Sequence, residues 1–270
     1  MHEFLGIMVW PFLTCLVLTG IHAYLGLHVI EREVIFVDLA LAQIAAFGGA
    51  MAILFGHGFD SGLSYGLSLG FTLLGAAVFS LTRFEKKNIP QEAVIGITYA
   101  VAAAALVMVL SRSGEGDEHI REALVGNILL IRPAEVLKIF IIYSLIGSFH
   151  FACRKRFLLI SQKPEEARRL GWNLRFWDFL FYASFGAVVT SSVKIAGVLL
   201  VFCFLIVPAT AAALYSQSIR SRLIFGWIFG TVSSVLGIAV SYFLDFPTGA
   251  SIVCSFGAIL AALALIRMLK

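Results

Sequence analysis

Three ionisable side chains, Asp38, Lys138 and Asp178, stand inside long apolar runs. A charge at the bilayer centre costs roughly 2.5–3.5 kcal/mol on insertion scales, so each must face protein, water or an interface. All three lie near the ends of their runs, where reaching the interface is the less costly solution. A second group is the Gly-rich acidic interval 111–122, SRSGEGDEHIRE. There Asp117, Glu118, His119 and Glu122 offer carboxylate oxygens and an imidazole nitrogen, donors suited to a divalent cation. Glu118 and Glu122 share a face if the piece is helical; the competing reading is a solvated loop. His22, His28, His57 and His150 are scattered and read as packing or interface residues. Cys15, Cys153, Cys203 and Cys254 lack CxxC spacing and read as small core residues, with neither disulfide framework nor thiolate site implied.

The absences are equally informative. No GxxxxGK[ST] run exists to cradle ATP phosphates, and there is no serine nucleophile elbow and no HExxH pair. The intramembrane polar residues are too sparse for an embedded enzyme. Transport is the better reading, with an ATPase-independent carrier or intramembrane enzyme as the alternative.

The longest polar interval runs from about Cys153 to Phe176 and carries Arg154, Lys155, Arg156, Lys163, Arg168, Arg169 and Arg175. Segments this basic stay on the cytoplasmic side of a membrane. At its centre, Pro164, Glu165, Glu166, Ala167, Arg168, Arg169, Leu170 and Gly171 predict a short capped helix. Proline opens it, two carboxylates oppose the positive N-terminus, two arginines follow toward the negative end, and glycine stops it. Such an amphipathic piece between two spans is a handle to push on; an ordinary basic loop is the alternative.

These groups must be positioned by membrane spans. The 270-residue chain is 60% hydrophobic and only 13% charged, which predicts an all-α integral membrane protein. Spans of roughly 20 residues with short loops leave room for a polytopic bundle of eight or nine helices and no separate soluble domain. Met1-His2-Glu3 lacks a basic leader region, so the first span is expected to be retained. The apolar runs fall at about 4–30, 34–55, 62–82, 90–110, 133–151, 176–193, 195–215, 223–244 and 249–268, with breaks at Lys194 and 216–222. Residues 123–131 are too short to cross and predict a re-entrant or surface piece. Pro208 is expected to kink its helix. Small-residue stretches such as 42–52 and 208–214 allow close helix packing in lipid.

Arg32, Arg83, Lys86, Lys87, the seven central residues, Arg220, Arg222, Arg267 and Lys270 fall on one side. Arg112, Arg121, Arg132, Lys138 and Lys194 fall on the other. Fifteen against five assigns the first side to the cytoplasm. The net charge of +4 therefore reflects anchoring at the lipid surface, not nucleic-acid binding. The far side collects Asp60, Glu115, Asp117, Glu118 and Asp245, a bias useful for a cationic cargo.

Four motifs carry a family resemblance over nearly the full length: GVLLVFCFLIVPATAAAL (197–214), EAVIGITYAVAAAALVMVLS (92–111), LVGNILLI (124–131) and SYFLDFPTGASIV (241–253). In this order and spacing the chain resembles the permease subunits of bacterial zinc/manganese-type ABC importers. The resemblance implies a homodimer in the bacterial inner membrane and two copies of a separate cytoplasmic ATPase. It further implies a periplasmic or lipid-anchored metal-binding protein that delivers cargo. A divalent metal ion would be cargo, not a bound cofactor, and residues 165–171 become the coupling helix that docks on the ATPase.

The family carries an acid followed four residues later by histidine in span two, on one helix face. Here Leu39 stands at the acid's place, Asp38 one residue early, and Gln43 at the histidine's place. Five residues turn about 500°, placing Asp38 and Gln43 roughly 140° apart. Gln supplies a neutral oxygen, not the imidazole that zinc favours, so zinc specificity does not carry over. A related permease for a chelated or organic cargo, such as a siderophore or cobalamin, is the alternative within the same architecture.

Overall fold

The structure, a computed structural model, describes residues 2–58, 61–83, 89–111, 126 and 128–269. The described residues form ten α-helices: α1 (His2–Glu31), α2 (Val37–Leu54), α3 (Gly62–Leu81), α4 (Gln91–Leu110), α5 (Pro133–Ala152), α6 (Arg154–Gln162), α7 (Pro164–Arg169), α8 (Leu174–Tyr215), α9 (Ile219–Leu244) and α10 (Thr248–Met268). Eight of them, all but α6 and α7, are long and apolar enough to cross a membrane. The starts follow local chemistry. Ser61 and Ser218 accept hydrogen bonds from Ser64 N–H and Ser221 N–H, capping α3 and α9. Proline precedes or opens α4, α5 and α7, where its missing N–H is not needed.

The 42 residues of α8 would extend about 63 Å if straight, twice the ~30 Å hydrocarbon thickness. They do not run straight. Gly197 has φ 75° and ψ 161°, backbone that only glycine adopts readily. Ser192 lies 3.2 Å from His22, while a Cβ at Gly26, one turn along α1, would sit 1.9 Å from the Leu205 carbonyl oxygen. Thirteen residues of uninterrupted helix could not place those two contacts one turn apart, so the chain folds back at Gly197. Thus α8 supplies both apolar runs expected at 176–215. The break falls three residues beyond Lys194, and Pro208 stays within continuous helix.

Two compact units are present. One comprises Met1–Ile30, Leu124–Gly147 and Ser192–Lys270. In it α1 and α9 approach through small residues, Gly230 against Thr19 and Gly226 against Ala23, with Trp227 Nε1 donating to Gly20 O at 3.0 Å. Gly126, at φ 63°, rests on the break of α8: an added Cβ would lie 2.2 Å from Ala196 C. Gly126 thus tucks against other backbone, and a 3-10 turn stands at Ile128–Leu130, while 123–125 and 127 lie outside the described residues.

The other unit comprises Glu31–Ala123 and Ser148–Ser191. Here α2 packs on α3 and α4, Gly48 against Leu67 and Phe71, and Gly75 against Ile44. Thr72 and Thr190 hydroxyls meet at 3.0 Å, joining α3 to the first half of α8.

Gly197→Ala should lower stability by about 1–3 kcal/mol, the range for a side chain forced into that backbone region. Gly126→Ala should fail similarly by collision, whereas Gly70→Ala, with open space around it, should be neutral. Thermal unfolding of the purified chain in detergent checks all three.

Candidate functional site

The basic interval folds as α6 and α7 joined at Lys163. Their inner faces are apolar: Phe157, Ile160 and Ala167 are fully buried, and Ile160, Ala167 and Leu174 form one cluster with Leu159, Trp172 and Trp177. The outer face of α7 is polar and open. Glu165 pairs with Arg168 at 3.1 Å and Glu166 with Lys163 at 3.6 Å, and Leu170 is 57% exposed. Gly171, at φ 76°, ends the helix with its N–H donating to Arg168 O. Pro164 occupies the first turn. The helix is therefore rooted by one alanine and presents carboxylates, guanidinium groups and Leu170 outward.

Beneath it lies a buried ionic junction that the sequence did not reveal. Asp178, in the first turns of α8, is 1% exposed and bridges two guanidinium groups. Arg32 Nη1 donates to its Oδ1 at 2.6 Å, and Arg83 Nη1 donates to Oδ2. Arg32 Nε also donates to Ser161 Oγ on α6 at 2.9 Å, and its guanidinium lies 4.0 Å from the Phe181 ring centre. Three chain segments thus meet at one carboxylate, and Arg32 ties in α6 as a fourth. The available signal was an aspartate at the arginine-rich end of an apolar run; reading it as an interface residue missed its partners.

Asp38 and Gln43 are both buried, at 2% and 8% exposure. A helix angle of roughly 140° does not separate them into inside and outside, because the first two turns of α2 are buried nearly all round. Asp38 Oδ1 and Glu92 Oε2 have no hydrogen-bond partner among the described residues. Glu92 Oε1 accepts from Phe36 N–H at 3.0 Å, tying α4 to the start of α2. Asp117, Glu118, His119 and Glu122 lie outside the described residues. Among those described, no three His, Cys, Asp or Glu side chains gather as a metal site.

The buried histidines have structural partners. His22 Nδ1 meets Leu18 O at 2.9 Å, and its Nε2 meets Ser192 Oγ, which contacts Tyr143 OH at 2.6 Å. His150 bonds Ser184 Oγ at 2.8 Å and stacks on Phe157. A cleft of about 840 Å³ between α1 and α5 is lined almost wholly by apolar groups, with Tyr143 and Ser144 as its hydroxyls, and so lacks strong cation ligands.

Asp178→Ala should destabilise the fold by roughly 3–5 kcal/mol, because it strands buried Arg32 without its counter-charge. Arg83→Ala should cost less, on the order of 1–3 kcal/mol, since its side chain is already 22% exposed. Denaturation midpoints of the purified variants test that ranking.

The chain is 28% identical over 198 residues to the manganese transport system membrane protein MntC of Listeria innocua, covering 71% of this chain and 70% of that protein. It is 25% identical over 244 residues to the manganese import system permease protein ScaB of Streptococcus gordonii, covering 89% and 84%. In fold it matches the solved PsaBC from Streptococcus pneumoniae in complex with Fab, with a TM-score of 0.80 at 22% identity, covering 97% of this chain and 94% of that one. The ABC 3 transport family model matches residues 4–269, almost end to end, and the chain belongs to that family.

Proposed function

We propose that this chain is the permease subunit of an ABC importer that moves a divalent metal ion of the zinc, manganese or iron class inward. It works as a homodimer in a bacterial inner membrane, with the whole chain acting as one permease domain. A separate cytoplasmic ATPase in two copies supplies the energy. A periplasmic or lipid-anchored metal-binding protein supplies the cargo. Family membership and relatives named for manganese transport support this reading.

The observation that carries the mechanism is α7, a short helix rooted through Ala167 and offering Leu170, Glu165 and Glu166 to a partner. Pro164 and Gly171 fix its two ends, so a load on the helix moves it as a piece instead of unwinding it. ATP binding and hydrolysis in the partner rock the spans by way of this helix. Cargo meets α2, where Asp38 and the neutral oxygen of Gln43 line the path when that helix is uncovered. The acidic group Asp117, Glu118 and His119 collects cations at the mouth. Oxygen donors of this kind suit a hard cation in transit better than tight zinc capture.

Comparing the metal content of cells with and without the gene tests the cargo. Loss of free metal uptake supports the reading, whereas loss of chelate uptake alone would transfer it to the chelated-cargo alternative. Glu166→Lys with Leu170→Ala should leave the complex assembled and reduce uptake by about tenfold or more, the effect of losing ~1.4 kcal/mol or more of coupling. Deleting 164–169 without loss of transport would remove α7 from the mechanism. Asp38→Asn, nearly isosteric, should reduce uptake while preserving assembly; unchanged uptake would take Asp38 out of the path.

A further inference from the structure

A second site lies beside α7, at the start of α8. Arg83, Arg168 and Arg175 line a pocket of about 250 Å³ together with Trp172, Asn173 and Leu174. Two of these guanidinium groups already hold a carboxylate, Arg83 that of Asp178 and Arg168 that of Glu165, so the unbalanced charge comes from Arg175 and from the second arginine on Asp178. Asp178 is shared between Arg83 and buried Arg32, and Glu165 is 73% exposed on the outer face of α7. Arg175 has no ion pair among the described residues. Asn173 Oδ1 accepts from Phe176 N–H, so the free part of its amide is the donor end. The pocket therefore presents donors and positive charge, and its volume suits one tetrahedral anion with its ester arms.

The surroundings indicate which anion. Leu174 opens a membrane-crossing helix, so the pocket sits at the depth where an apolar run meets water. Trp172 lines it, and the Arg156 guanidinium lies 5.8 Å from that ring centre and 4.7 Å from that of Trp177. Phe176, the residue after Arg175, is 52% exposed. Tryptophan is enriched where a span meets the headgroup layer, and basic pockets beside spans bind anionic lipid headgroups. We propose that this pocket binds the phosphodiester headgroup of an anionic phospholipid, with the acyl chains lying along Phe176 and the first turns of α8. The site does not depend on which cargo the permease carries, so it stands or falls separately from the transport reading.

The test uses the full chain with its ATPase in nanodiscs of phosphatidylcholine, with or without phosphatidylglycerol, and native mass spectrometry of the lipid retained. Wild-type complex should keep phosphatidylglycerol over phosphatidylcholine and melt higher in its presence. Arg175→Gln and Arg168→Ala should each reduce that retention about tenfold, the loss of one strong phosphate contact. Arg169→Ala, outside the pocket, should retain the lipid and so reports on folding. Protection by inorganic phosphate alone to the same extent would identify a free-anion site and overturn the lipid assignment. Unchanged lipid retention in Arg175→Gln would also overturn it, as would a loss of ATPase affinity with retention intact, which would assign the pocket to the protein partner.

Discussion

One carboxylate holds the base of this permease together. Asp178 is taken from water almost completely and is tolerable there only because two guanidinium groups converge on it. Removing either kind of charge leaves the other stranded, so the junction tolerates change poorly even though a buried ion pair contributes little net stability against an apolar substitute. What it supplies is position. Arg32 begins the turn after α1, Arg83 follows α3, Ser161 belongs to α6, and Asp178 lies in the second turn of α8. Tyr182, one turn along α8, accepts from Gln91 Nε2, which also donates to Phe79 O. The starts of α4 and α8 and the end of α3 are thereby set relative to one another.

A second constraint is steric. Gly197 lets one glycine turn the chain between two span-length helices, and Gly126 lets another stretch lie directly on that turn. A Cβ at Gly126 would collide with that turn, and both glycines hold a positive φ that other residues seldom adopt. The same economy recurs where α1 meets α8 at Gly26 and where α9 meets α10 at Gly237, whose added Cβ would sit 2.4 Å from Ile252 Cα. In lipid the hydrophobic effect gives helices little reason to associate, and close backbone approach replaces it.

The local chemistry was legible in the sequence. Pro90, Pro133 and Pro164 marked helix starts, and Gly171 marked a stop. The break in α8 was placed at Lys194 because a charge interrupts an apolar run; its true location depends on Gly126, far away in sequence, resting on Gly197. Pro208 lies within the helical stretch after the break, and the non-helical backbone of α8 is at Gly197 instead. The 140° between Asp38 and Gln43 argued against a shared chelate but said nothing of burial, and both are buried because α3 and α4 pack on α2. Least legible was the Asp178 junction, whose partners lie 146 and 95 residues away. A charge near a span end reads the same whether it reaches the interface or is clamped beneath it.

The coupling segment and the junction share atoms of the same elements, and that continuity gives the proposed coupling a physical route. Ala167 on α7 packs with Ile160 on α6 and Leu174 at the head of α8. One residue beyond Ile160, Ser161 accepts from Arg32, and four residues beyond Leu174 stands Asp178. A displacement of α7 therefore cannot be absorbed at its root. The close-packed cluster passes it to α6 and α8, and the ionic junction resists any sliding of these against Arg32 and Arg83. An apolar contact alone would allow slippage because it has no preferred register. A carboxylate held by two guanidinium groups does have one, which is why the stiff link in this chain is electrostatic and not hydrophobic.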